Sequence, residues 1–202
     1  GVRLVNENEE EQVFPVHVLS QDDEHIGFQN ALVLVKSWQT ERAALQLVDL
    51  LANDGLALTL QNGAGNIETL SHFLGASRAA LGVTTIGATL LGPGKVRQAG
   101  AGAILVSEHP RSQSLLELLS SAGFSVQIEP DPTSVLWGKL VINVAINPLT
   151  AIINIPNGEL LARNSARYLL QKAAQEAASV AVAKSIQLPY SDPVAMVEAT
   201  AS

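Results

Sequence analysis

The sequence predicts an α/β domain over residues 1–130, followed by an all-α domain over residues 131–202. Short apolar runs alternate with amphipathic stretches of about ten residues as far as Ile128, which is typical of a sheet covered by helices on both faces. Two prolines within Glu129–Pro132 then break the chain, and the later apolar residues recur with the helical period. Apolar residues make up 47% of the 202 residues, enough for a sizeable core.

The strands are predicted from apolar runs bounded by turn residues. Alternating apolar positions on either side of a polar turn predict a hairpin near the start, and Pro15 confines it to a sheet edge. The run Ala31–Val35 lacks polar alternation, which predicts a strand buried on both faces of a parallel sheet. The later predicted strands are Leu56–Gln61, Leu81–Thr85, Val96–Gln98, Ala103–Ser107 and Phe124–Ile128. The strands Val96–Gln98 and Ala103–Ser107 are predicted to pair with each other after a turn at Gly92-Pro93-Gly94.

The helices are predicted from capping residues, apolar periodicity and glycine stops. Thr40 or Ser37 is the expected cap of the first helix, which Gly55 ends, and Ser112 is the expected cap of the third. The remaining predicted helices are Asn66–Leu74, a long helix from Thr133 with a kink at Pro148, Ser165–Ile186 after a break at Pro156–Gly158, and Val194–Ala201.

Composition excludes several classes of function. A net charge of −7 argues against binding to nucleic acid, which requires clustered Lys and Arg. Polar residues interrupt the apolar stretch Leu136–Ile155, so we expect no membrane span. The absence of cysteine fits a reducing cytosol, and nothing at the start of the sequence reads as a signal peptide. The four histidines have no i, i+4 pairing, so no metal site is expected.

Lys139, Asn143 and Asn147 form the most informative pattern, because they interrupt an apolar helix. Each is four residues from the next, an advance of about 400°, so the three side chains form one polar stripe. The lysine could extend its ammonium to solvent while the asparagines bind backbone, or the stripe could face a ligand. Burying these groups unpaired would cost several kcal/mol, which favours the ligand. Desolvation lowers the pKa of a lysine, which suits proton donation during reduction of a ketone.

A second group of candidates follows the predicted strands of the first domain. Lys36 ends one strand and Asn62 the next, and open α/β sheets bind ligands beyond such carboxyl ends. The glycine-rich segment Gln61–Asn66 leads into a helix, where backbone donors can approach an anion or a ribose. An ordinary Asn-Gly turn explains it equally well. Thr84–Ala88 is a third strand exit, which packing alone could also explain.

Taken together, these segments resemble one enzyme family. The resemblance rests on Val33–Thr40, Gln61–Asn66, Gly82–Thr85 and, above all, Lys139–Ile152, and order and spacing match through Pro156–Leu160. Over essentially its whole length the sequence resembles the ketopantoate reductases (2-dehydropantoate 2-reductases). The resemblance implies a Rossmann-like dinucleotide-binding domain followed by a helical domain that carries substrate and catalytic groups.

The resemblance also implies an activity and a set of site residues. The reaction would be the NADPH-dependent reduction of 2-dehydropantoate to (R)-pantoate, on the cytoplasmic route to pantothenate and coenzyme A. Lys139 matches the family's proton donor. The residues that match substrate contacts are Asn62, Asn143, Asn147 and Asn157, and those that match cofactor contacts are Lys36, Asn62 and Ala88. The implied partner is a small 2-oxo acid, with neither nucleic acid nor membrane involved.

Two motifs of the family are not found in the sequence. The family's G-x-G-x-x-G strand unit would precede Gly1, and a serine-rich substrate motif with a cofactor-contacting glutamate would follow Ser202. We therefore expect a central part of a reductase, with a truncated Rossmann-like domain whose exposed sheet edge favours pairing, for instance in a homodimer. Two alternatives stay open: a related reductase of another 2-oxo acid, and an inactive binding or assembly module that pairs through that edge. The sequence does not separate NADPH from NADH, because the residues that meet the 2′-phosphate belong to the missing unit.

Overall fold

A computed structural model describes residues 1–6, 8–19, 27–99 and 102–202. The chain divides into two compact units, which we call unit 1 (Gly1–Gln61 with Ile67–Pro130) and unit 2 (Asn62–Asn66 with Asp131–Ser202). The strands are β1 (Val2–Val5), β2 (Glu11–Phe14), β3 (Phe28–Val33), β4 (Leu51–Thr59), β5 (Ala79–Thr84), β6 (Gly87–Gly92), β7 (Lys95–Ala99), β8 (Ala103–Ser107) and β9 (Ser125–Glu129). The helices are α1 (Thr40–Leu50), α2 (Asn66–Leu74), α3 (Gln113–Ser121), α4 (Pro132–Ile153), α5 (Asn157–Ala162), α6 (Asn164–Ala183) and α7 (Pro193–Ala201).

Unit 1 contains a small four-stranded sheet of order β2-β1-β7-β6. The predicted hairpin is confirmed, since β1 and β2 pair antiparallel, and Pro15 directly follows β2 at the sheet edge. The predicted partnership of the strands near Val96 and Ala103 is wrong. β7 pairs with β6 and β1 instead, and β6 itself was not predicted.

A five-stranded sheet of order β3-β4-β5-β8-β9 forms the larger part of unit 1. β3, β4 and β5 are parallel, whereas β8 runs antiparallel to β5 and parallel to β9. The sheet is therefore mixed, because the small sheet takes up β6 and β7 before the chain returns as β8. Helices cover both faces, as predicted: Leu115 and Leu119 of α3 pack on one face, and α1 and α2 pack on the other through Ala44 and Leu70.

The edge strand β3 differs from its prediction. The strand spans Phe28–Val33 rather than Ala31–Val35, and within it Leu32 is 41% exposed. The cause is its position: among the described strands β3 pairs with β4 alone. The cluster that α3 covers draws its buried strand residues from β4, β5 and β8. Trp38 lies in a short 3₁₀ turn after β3 and is 82% exposed.

The end of α1 also differs. The helix stops at Leu50 and β4 begins at the next residue, so Gly55 lies inside a strand and does not end the helix. At Gly55 a Cβ would lie 2.7 Å from the Phe28 carbonyl oxygen, which explains the glycine by the close approach of β3. Neither Thr40 nor Ser37 caps α1, whose first turn carries no side-chain cap.

Unit 2 is built from α4 to α7 around one apolar cluster, centred on Val141, Leu160, Leu170 and Val197. Asp131 and Asp192 cap α4 and α7 by accepting hydrogen bonds from Ser134 and Ala195 amides, each at 2.9 Å. The predicted break at Pro156–Gly158 is a short helix, α5. Among the described residues, α4 is the one helix that length and composition alone would allow to cross a membrane, and the apolar cluster of unit 2 includes three of its residues.

An ion pair joins α6 to α7. The Arg167 guanidinium donates from Nε and Nη2 to the two Glu198 carboxylate oxygens, and Gln171 Nε2 also donates to Glu198, all at 2.7 Å. The hydrogen bonds from Arg167 and Gln171 lower the pKa of Glu198 from 4.5 to about 2. The carboxylate form is thus stabilised in the folded protein relative to the unfolded chain.

We expect this carboxylate to make stability depend on acid pH. Its contribution is fully present above pH 4.5 and is lost as the pH falls towards about 2, because the unfolded chain takes up the proton first. Urea unfolding at pH 5 and pH 3, followed by far-UV circular dichroism, measures the loss. Glu198→Gln should flatten this pH dependence, whereas Glu176→Gln, at an exposed position of α6, should leave it unchanged. Equal pH dependence in Glu198→Gln and the unsubstituted protein would contradict the assignment.

Candidate functional site

The predicted polar stripe lies on α4 in unit 2. Lys139 and Asn143 are half-buried and Asn147 is exposed. Val141 and Ala145, on another face of the helix, are fully buried in the core. Burial lowers the pKa of the Lys139 ammonium below its ordinary value, in the direction that the sequence predicts. The arrangement gives unit 2 a partly desolvated lysine with two amides in line beside it.

Two further predicted residues belong to the same unit. Asn157 is exposed and is the first residue of α5. Asn62 is also exposed, and the segment Asn62–Asn66 groups with α4 to α7 although both neighbouring stretches of chain belong to unit 1. The structure therefore brings Asn62 into one compact unit with Lys139, although 77 positions separate them in the sequence.

The glycine-rich loop before α2 has a defined backbone geometry. Gly63 and Gly65 have φ values of 90° and 94°, which disfavour any residue with a side chain. The Asn66 side chain is buried and donates to the carbonyl oxygens of Asn62 and Gly63, at 3.2 and 3.3 Å. Around Gly65 no atom lies within 4 Å of an added Cβ, so open space adjoins the loop.

Lys36 lies in unit 1, three residues beyond the end of β3, and is exposed. A buried amide fixes the neighbouring backbone: Gln61 Nε2 donates to the Val35 carbonyl oxygen at 2.7 Å and to Thr40 Oγ1 at 2.9 Å. Gln61 Oε1 also accepts from Thr59 Oγ1 at 2.9 Å. This role of Gln61 is not among the predictions from sequence, although a glutamine at the end of an apolar strand was a usable signal.

Ala88 also lies in unit 1. It is the second residue of β6, opposite Gln98, and is not in a loop at the exit of β5. The sequence predicts a strand exit over Thr84–Ala88, whereas in the structure β6 already begins at Gly87. Ala88 and its neighbours Ile86 and Gly87 line a cavity of about 600 Å³ in unit 1. Lys36 and Ala88 thus belong to unit 1, whereas the other predicted site residues belong to unit 2.

In the part of the chain that the structure describes, no cluster of three or more His, Cys, Asp or Glu side chains could hold a metal ion. His25 lies outside the described residues.

One contact near Lys139 was not foreseen. The Tyr190 hydroxyl donates a 2.8 Å hydrogen bond to the carbonyl oxygen of Gly138, the residue that precedes Lys139. Burial raises the pKa of this phenol, which keeps it protonated as a donor. The glycine within a buried helix was the available sequence signal, because such glycines usually mark close packing.

Sequence comparison matches both parts of the chain to ketopantoate reductases, each part through its own family description. The family described as "Ketopantoate reductase PanE/ApbA" matches residues 1–111, and the family described as "Ketopantoate reductase PanE/ApbA C terminal" matches residues 132–202. A curated relative, the 2-dehydropantoate 2-reductase of Halobacterium salinarum, is 32% identical over 165 residues, which are 79% of this chain and 54% of the relative. The chain thus spans about half the length of the curated relatives it matches.

Structural comparison gives the same result. A PanE/ApbA family ketopantoate reductase from Ralstonia eutropha superposes with a TM-score of 0.86 at 31% identity, covering 98% of this chain and 65% of that one. A D-mandelate dehydrogenase, solved with NADH and anilino(oxo)acetate, superposes with a TM-score of 0.87 at 22% identity, covering 100% and 67%. The second likeness supports the fold alone: a Rossmann-like α/β part followed by helices.

Proposed function

The chain belongs to the ketopantoate reductase PanE/ApbA family, and from this premise we propose that its protein reduces 2-dehydropantoate to (R)-pantoate with NADPH. Family membership makes it part of a reductase that acts on a small molecule. The specific substrate, the choice of NADPH and the role of each residue are our proposal. The product would enter the synthesis of pantothenate and coenzyme A, in the cytoplasm.

The partial burial of Lys139 is the main support for the proposal. Reduction of a ketone adds a hydride to carbon and a proton to oxygen, so the enzyme needs an acid near the carbonyl. The Lys139 ammonium is half-buried, and the lowered pKa makes it a better acid than an exposed lysine. We assign Lys139 as the group that donates this proton to the carbonyl oxygen.

The amides that accompany Lys139 suit recognition of a 2-oxo acid. Asn143 and Asn147 follow it along α4, and Asn62 and Asn157 belong to the same unit. Each amide offers two N–H donors for carboxylate and carbonyl oxygens and one acceptor for hydroxyl groups. We assign these four asparagines to substrate binding.

Residues of the chain also fit a dinucleotide. The loop with Gly63 and Gly65 keeps open space beside its backbone, and Lys36 offers an exposed cation beyond the end of a parallel strand, where α/β sheets bind nucleotides. We assign Lys36, Asn62 and Ala88 to cofactor binding, which makes residues 1–130 the cofactor domain and residues 131–202 the substrate and catalytic domain. When bound, NADPH supplies the hydride.

We further propose a homodimer as the assembly and only a small 2-oxo acid as substrate partner. A related reductase of another 2-oxo acid is the competing function, since the stripe recognises the oxo-acid end of the substrate more than its side chain.

The test is ketopantoate-dependent oxidation of NADPH, measured for this 202-residue chain and for the product of the longest reading frame that contains it. We expect turnover in the longer product, with ketopantoate preferred over a panel of branched 2-oxo acids and NADPH over NADH. Preference for another 2-oxo acid would favour the competing reductase. Two folded products without turnover on any of these substrates would overturn the proposal.

A further inference from the structure

A segment between α6 and α7 fastens the catalytic helix at the residue before Lys139. This segment, Gln187–Ser191, which we call the strap, is held at both ends. At the α6 end the Ile186 amide donates to the Ala181 carbonyl oxygen at 2.9 Å. At the other end Asp192 caps α7, whose Val197 is fully buried. A segment anchored on both sides can hold a neighbouring helix in place.

Contact between the strap and α4 depends on the missing side chain at Gly138. A Cβ at this position would lie 2.7 Å from Cγ of Pro189, 2.8 Å from its Cδ and 3.3 Å from Cε1 of Tyr190. Contacts below about 3 Å force atoms to move, so any larger residue would push the strap away from the helix. Gly138 thus leaves the room in which Pro189 and Tyr190 of the strap contact the helix, although glycine lowers the stability of a helix.

The strap also makes a hydrogen bond to the peptide group that joins Gly138 to Lys139. A helical carbonyl accepts from the amide four residues later, and its second lone pair is free for another donor. The Tyr190 hydroxyl uses this second position on the Gly138 oxygen. The Gly138 oxygen and the Lys139 nitrogen belong to the same peptide group. The hydrogen bond therefore restrains the plane of this peptide, next to the Cα that carries the Lys139 side chain.

We propose that Tyr190 is a positioning residue for Lys139, holding the Gly138–Lys139 peptide so that the ammonium meets the substrate oxygen. The inference rests on the proposed function for its kinetic consequence and on the strap geometry for its physical basis. Small displacements of a catalytic group are costly, since about 1 Å can lower the rate by about 100-fold. Tyr190 itself transfers no proton in this scheme.

The experiment compares Tyr190→Phe with Tyr168→Phe, a matched change at a tyrosine that is exposed on α6. In the product of the longest reading frame, we expect Tyr190→Phe to lower kcat by about tenfold, the equivalent of one hydrogen bond, with KM for NADPH unchanged. The alkaline limb of its pH–kcat profile should also move. Tyr168→Phe should change neither. A folded Tyr190→Phe variant with unchanged kcat and pH profile would overturn the proposal.

Two additional measurements keep the test decisive. If Tyr190→Phe does not fold, Gly138→Ala keeps the hydroxyl but displaces the strap, and the same selective loss of kcat is expected; unchanged kcat would overturn the proposal. The pKa of the Lys139 amine, measured by NMR after reductive ¹³C-methylation, requires no turnover. If the unsubstituted protein does not reduce ketopantoate, the proposed function fails. The positioning proposal is then tested by the pKa of Lys139 alone: a shifted pKa in the variant supports it, and an unshifted pKa overturns it.

Discussion

Replacement of Lys139 by methionine is expected to lower kcat for ketopantoate reduction by about 10²- to 10⁴-fold, the usual contribution of a positioned general acid. Methionine retains an unbranched chain that can pack where the lysine methylenes pack, but it carries no proton. The asparagines of the stripe and the residues assigned to the cofactor stay in place, so binding of NADPH should change little. Steady-state kinetics and a calorimetric titration with NADPH measure the two effects separately.

Lys172→Met is the matched control, because this lysine is exposed on α6 and far along the chain from the stripe. Normal turnover in folded Lys139→Met protein would remove Lys139 as the proton donor. Loss of NADPH affinity equal to the loss of kcat would instead assign Lys139 to cofactor binding.

The second large effect concerns stability. Leu170→Ala should lower the free energy of unfolding by about 2–5 kcal/mol, because it removes buried methyl groups and leaves a cavity. Leu170 is fully buried in the cluster where α4, α6 and α7 meet. Urea unfolding followed by circular dichroism gives the free energy and, from its slope, a check that the denatured state is unchanged.

The neighbouring residue provides the control. Leu169 is 52% exposed on the same helix, so Leu169→Ala should change the free energy of unfolding by only about 0.5 kcal/mol. Equal shifts for the two substitutions would mean that α6 does not face the core as described.

Local signals in the sequence were sufficient for several elements. The structure confirms Asn66–Leu74 residue for residue, because a glycine-rich turn precedes the helix and Gly75, with a φ of 83°, ends it. The stripe on α4 and the lowered pKa of Lys139 also followed from spacing and burial. These features depend on contacts within a few turns of one helix.

Features that depend on distant contacts were not predictable. The exposure of Leu32 depends on how far α3 extends over the sheet, which no local pattern encodes. β8 runs antiparallel to β5 because β6 and β7, which lie between them in the sequence, belong to the other sheet. The hydrogen bond from Tyr190 to Gly138 joins residues that are 52 positions apart, and only the glycine pointed to it.

Because α4 carries both the stripe and part of the core, the backbone at Lys139 is held by the same apolar contacts that stabilise unit 2. Val141, Ala145 and Ile146 anchor the same turns that present Lys139 and Asn143, so local fraying of these turns would expose the core. A separate opening of α4 would therefore break the apolar cluster of unit 2, in which Leu160, Leu170 and Val197 also take part.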